Sequence, residues 1–168
     1  MEDGIRNFFD GYARVFNQAL AGDIGMDEVS NMYAAEFIAA TPAGVKAGMN
    51  GEQLREAMKA GYARYREMGM KVMQLLAVRP IGLDEHHYVA RVRWKAIYGR
   101  RHGPDANVEF DVHYFLQMGE RGPKVFGWVA GDEEALLRER GITRPANAGW
   151  GHSPASSLLA SCSAGKLV

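Results

Sequence analysis

Near the start of the chain, apolar residues recur every three or four positions: Ile5, Phe8, Phe9, Tyr12, Val15, Phe16 and Ala19. That spacing places them on one face of a helix. "AGD" at 21–23 ends it, with Gly22 as its C-terminal cap. Met26, Val29, Met32 and Tyr33 predict a second short helix over about 26–33. "EFIAATPAGVKAG" then reads as two short strands joined by a type I turn at Thr41-Pro42-Ala43-Gly44. Asn50 and Gln53 resemble a capping box that opens a third helix. Its buried face is Leu54, Met58, Gly61, Tyr62 and Tyr65, and Gly69 closes it.

From Lys71 onward the period changes to two. Four long strands are predicted, at about 71–83, 87–100, 107–118 and 123–130. Gly99–Gly103 and Gly119–Gly122 supply turns, so sequence neighbours should pair antiparallel. Asp132 caps a last short helix, with Glu133 and Glu134 at its positive end, Arg138 and Arg140 at its negative end, and Gly141 as its stop. From Pro145 the chain is rich in Gly, Ala, Ser and Pro and has no period. We therefore expect one α+β domain over 1–143, with helices on one face of a curved antiparallel sheet, and a flexible C-terminal tail over 144–168.

Composition narrows the partners. Lys plus Arg number 20 and so do Asp plus Glu, which leaves no basic field to gather nucleic acid or anionic lipid. No apolar stretch approaches the ~20 residues that a membrane helix needs. "MEDGIRNFFDGYARVF" is acidic and amphipathic, so no secretory signal is expected there. The single cysteine, Cys162, excludes an internal disulfide and fits a cytoplasmic protein. "LLASCS" (158–163) has the look of a lipoprotein cleavage box, but it lies far from the N-terminus and is read as chance.

The element order, "AGD" after the first helix, "MYAAEFIAATPAGVKAG" and the strand pair ending in "GPKVFGWVAGD" together resemble the nuclear transport factor 2-like superfamily over residues 4–142. The resemblance implies a cone: the sheet curves around an apolar pocket that the three N-terminal helices close. Members include ketosteroid isomerases, limonene epoxide hydrolases and polyketide-cyclase-like proteins. It also implies that the outer sheet face serves as a homodimer surface.

In such a cone, Trp94, Ala96, Tyr98, Phe110, Val112, Tyr114 and Leu116 face the helices. Arg91, Arg93, Lys95, Glu109, Asp111 and His113 then form a charged ladder on the outside. Isomerase roles are not matched: Thr41 stands where the catalytic Asp belongs, Val15 where the Tyr belongs (Tyr12 lies nearly one turn earlier), and Val112 where the second Asp belongs. "RVRW" lacks the carboxylate of the epoxide hydrolases. Cyclase-like members use a His and an Asp near the cone mouth, for which Asp111 and His113 are candidates by residue type. Tyr12 and Tyr62 are further acid–base candidates.

The expected pocket lining is Tyr12, Phe16, Thr41, Met58, Tyr62, Tyr65, Trp94, Tyr98, Phe110, Val112, Tyr114 and Trp128. Its aromatic character suits a small apolar or aromatic ligand. No cofactor is expected. Glu85-His86-His87 is read as a solvated turn rather than a metal site, because strand neighbours point to opposite faces. Three readings stand: a ligand-binding domain, a cyclase- or dehydratase-like enzyme, and a non-catalytic dimerisation module with a filled cone.

Overall fold

The computed structural model describes residues 2–143. Helix α1 (Glu2–Ala21) buries Ile5, Phe9, Tyr12, Phe16 and Ala19, with Phe8 and Val15 half-buried beside them. It ends as the glycine predicts. Gly22 takes a left-handed φ of 85°, its N–H bonds to Ala19 O, and the Asp23 N–H reaches Gln18 O. Asn17 fastens α1 to the sheet by pairing with both backbone groups of Met73, at 2.8 Å each.

Helix α2 is shorter than its apolar spacing implies, at Met26–Ser30. Tyr33 is not on it but opens strand β1 (Tyr33–Thr41). The reason is the burial of Tyr33, Phe37 and Ala39 against the core across an irregularity in the strand, which outweighs local helical spacing. Strand β2 (Gly44–Met49) returns antiparallel, with Thr41 opposite Gly44 at the turn. The Phe37 ring lies over Gly48, so a Cβ there would collide with it.

The expected capping box is absent from helix α3 (Glu52–Glu67): Gly51 is its N-cap and no side chain bonds there. Asn50 instead donates to Ser30 O at 2.8 Å and Tyr33 O at 3.3 Å, tying the α2–β1 corner to the hairpin.

The long strands are β3 (Met70–Gly82), β4 (His87–Tyr98), β5 (Ala106–Gly119) and β6 (Gly122–Ala130). They pair antiparallel in sequence, and β1 joins β6 in parallel, which gives the order β2-β1-β6-β5-β4-β3. The sheet curves without closing. Helix α4 (Glu133–Glu139) follows β6 and is capped as expected, with Asp132 Oδ1 accepting from Ala135 N at 2.9 Å. The tail expected over 144–168, with Cys162, lies outside the described residues.

Candidate functional site

Alternation along β4 decides what faces the helices. Val92, Trp94, Ala96 and Tyr98 are buried, and across the register so are Val108, Val112 and Tyr114. With α1 laid over them, the interior becomes a set of aromatic rings. Tyr12 lies 5.8 Å from both Trp94 and Tyr114 between ring centroids, Phe9 lies 5.0 Å from Tyr114, and Phe37 stacks on Trp128 at 5.3 Å.

Within this apolar interior four phenolic hydroxyls gather. Tyr12 and Tyr33 share a hydrogen bond of 2.5 Å between buried oxygens. The Tyr114 ring packs beside Tyr12, and Tyr62 lies near enough to feel Tyr12 electrostatically. Burial is the main cause that raises all four pKa values. Tyr12 is raised less than the others, because the bond from Tyr33 favours its anion. All four therefore keep their protons at neutral pH, and the cluster can donate and accept hydrogen bonds but contains no base.

A cleft of about 460 Å³ on the helix side touches this cluster at Tyr62. Ala19, Ile24, Met26 and Tyr62 line it, and its charged rim includes Asp27, Arg55, Lys59 and Arg66. Arg55 pairs with Asp27 at 3.3 Å, and Arg66 holds the last carbonyls of α1, Ala19 O and Leu20 O.

Of the expected lining, Tyr12, Phe16, Met58, Tyr62, Tyr65, Trp94, Tyr98, Val112, Tyr114 and Trp128 are buried together in the core, and Phe110 packs half-buried against it. Thr41 is apart from them at the hairpin tip, where its Oγ1 accepts from Ala43 N. Asp111 and His113 do not reach the cone interior. They share the outer face with Arg91 and Arg93. Asp111 holds Arg91 at 2.5 Å and Arg93 at 3.7 Å. The ladder is the outside.

Two polar residues of the interior are not evident from local sequence. Tyr33 has helical spacing with Met26, Val29 and Met32, yet it opens β1 and is buried. Glu133 has the form of a helix-end charge, yet it is buried. Among the described residues no three His, Cys, Asp or Glu side chains converge on a metal position. His86 and His87 belong to a turn held by Asp84, whose carboxylate accepts from both backbone N–H groups and from His87 Nδ1. None of the described helices is long and apolar enough to cross a membrane.

Solved structures share this architecture. An NTF2-like protein with a cystatin-like fold from Novosphingobium aromaticivorans superposes with a TM-score of 0.59 at 13% identity, over 85% of this chain and 88% of that one. Aln2 from a Streptomyces species gives 0.58 at 13%, over 83% and 95%. The beta subunit of the benzoate 1,2-dioxygenase from Burkholderia mallei gives 0.56 at 14%, over 79% and 91%. Identities this low establish the fold alone. A search of curated proteins finds no match. The family model described as NTF2-like protein (DUF6841) matches residues 2–133, and with the cone now in view the chain belongs to that family.

Proposed function

We propose that this protein binds a small apolar or aromatic molecule in its cone, entering through the helix-side cleft, and that the Tyr12–Tyr33–Tyr62–Tyr114 hydroxyls recognise a polar atom on it. The observation that carries this reading is the convergence of four hydroxyls inside an aromatic core. A core built only for packing gains nothing from them, since each buried hydroxyl costs free energy unless it is bonded. Because the four groups stay protonated and Asp111 and His113 face outward, binding is favoured over cyclase- or dehydratase-like chemistry.

The test is native mass spectrometry of freshly purified protein, followed by titration with 2-naphthol. A retained mass, or saturable naphthol binding that falls about tenfold in Tyr12→Phe, supports the reading; one good hydrogen bond is worth about that factor. Failure of the folded protein to bind naphthol, with no retained mass, removes it and leaves the filled-cone dimerisation module.

A second reading concerns the outer face and is compatible with the first. Ile38 and Val129 are 53% and 43% exposed there, beside the half-buried Phe115 and Phe126 rings. A groove of about 740 Å³ adjoins them, lined by Ile38, Met49, Gln117 and Phe126 among others. This apolar ground next to a ladder of both charges suits a homodimer through the outer sheet face. Val129→Arg should turn a dimer into a monomer in sedimentation; a wild-type monomer would end the idea.

A further inference from the structure

The charged ladder of the outer face is not evenly paired. Lys95 stands opposite Glu109 in register and Arg93 opposite Asp111, as unlike charges should. One step along, Arg79 on β3 stands directly opposite Arg91 on β4. Like charges that face each other across two strands oppose the pairing rather than support it. Asp111 offsets this on one side only. Its Oδ2 accepts from Arg91 Nε and Nη2, at 3.1 and 2.5 Å, and Arg93 Nε lies 3.7 Å from its other oxygen. Arg79 has no ion pair among the described residues. Ala77, Arg79, Arg91, Arg93 and Asp111 line a small cleft of about 100 Å³. Ala77 stands opposite Arg93, where its methyl group leaves room that a longer side chain would fill.

We propose that Arg79, Arg91 and Arg93 form a binding site on the outer sheet face for the dianionic phosphate group of a small molecule. Three guanidinium groups surround one carboxylate in the cleft, so two positive charges are left over. A phosphate group at neutral pH carries about that charge with the opposite sign, whereas a carboxylate would cancel only one. The excess is local, since the chain as a whole has no net charge. Asp111 takes only part of the five N–H donors of Arg91 and fixes the guanidinium plane, leaving the remainder for a second oxyanion. The cleft is far smaller than the roughly 300–1,000 Å³ of sites that enclose a whole organic ligand, so it takes a compact ion or one end of a longer molecule. The next outward row, two residues along each strand, is Ile81, Val89 and Phe115. Ile81 is 61% exposed, so this row offers apolar ground for the organic part of a phosphate ester. The arginines remain about half exposed, and salt should therefore weaken the binding.

The experiment follows the arginine Nε–H signals of the full chain by NMR at low ionic strength, during titration with inorganic phosphate, phenyl phosphate and acetate. Wild type should show saturable shifts at Arg79, Arg91 and Arg93, with phosphate binding about tenfold more tightly than acetate. Arg79→Gln removes a guanidinium that no ion pair holds, so the fold should survive while phosphate affinity falls about tenfold or more. Arg101→Gln, in the exposed β4–β5 turn, should leave the affinity unchanged. Tighter binding of phenyl phosphate assigns the site to an ester, and affinity no better than that of inorganic phosphate assigns it to the free ion. The proposal is overturned by the absence of saturable shifts, by equal affinity for acetate, or by phosphate binding undiminished in Arg79→Gln. An equal loss in Arg101→Gln overturns it as well, since diffuse surface charge would then explain the binding.

Discussion

Strands β4 and β5 present two faces built from alternate residues of the same stretch of chain, and the two faces obey different electrostatics. On the inner side Trp94, Tyr98 and Tyr114 lie in a buried aromatic interior, where burial pushes phenolic pKa values up and an unbonded hydroxyl is costly. One residue along, Arg91, Arg93, Glu109 and Asp111 make ion pairs whose side chains stay 23–55% exposed. Water screens those pairs, so each contributes little even where the geometry is close. A polar group inside is thus costly and informative, while a row of charges outside is ordinary. Chemistry should be sought among the few polar atoms of the concave side.

The most forceful way to break this contrast is to cut the inner face. Trp94→Ala removes a fully buried ring that touches Phe9 and Tyr12, and should cost about 3–5 kcal/mol in urea unfolding. A loss under about 1 kcal/mol would mean that the interior is not the packed core described above.

Next in size comes Glu133, whose burial at the start of α4 raises its pKa against the opposing charge of Arg64 on α3, with the Tyr98 hydroxyl within electrostatic reach. Its folded pKa is raised, so its favourable contribution is complete below the ordinary carboxylate range and is lost as pH rises through the folded value. Wild type should therefore lose about 1.4 kcal/mol relative to Glu133→Gln for each pH unit between the unfolded and folded values. Parallel stability–pH curves for the two proteins would show that Glu133 ionises freely in the folded chain.

Tyr12→Phe is a smaller cut. It deletes one oxygen from the 2.5 Å bond to Tyr33 and strands a buried hydroxyl, which should cost about 1 kcal/mol by chemical denaturation. No change, or a gain, would indicate that the cluster lacks mutual support in the free protein. Smallest of all, Arg93→Ala on the outer face should shift stability by about 0.5 kcal/mol or less, and added salt should shrink the shift further. A loss above about 2 kcal/mol would erase the distinction between the two faces.

Most of the fold could be read from periodicity, because one face of each long element had to be apolar. The inner set of α1, the four long strands and their in–out phase all followed from that rule. Local signals misled where a tertiary contact competed with them. Asn50 has the form of a helix cap, yet its amide is better used on Ser30 O and Tyr33 O, since those carbonyls face it across the α2–β1 corner. Thr41 occupied a matched motif position but lies at a hairpin tip, because the β1–β2 turn carries it away from the cone.

Residue order alone determined which side chains are inside: a two-residue period against a hydrophobic core leaves no other phase for Trp94, Tyr98 and Tyr114. It could not determine which buried oxygens meet. Tyr12 and Tyr33, whose hydroxyls share a hydrogen bond, are 21 residues apart, on α1 and β1. Only the curvature of the sheet, which swings β1 alongside β6 under α1, brings that pair together. Burial follows from local pattern, whereas the meeting of two polar groups depends on the path of the chain between them.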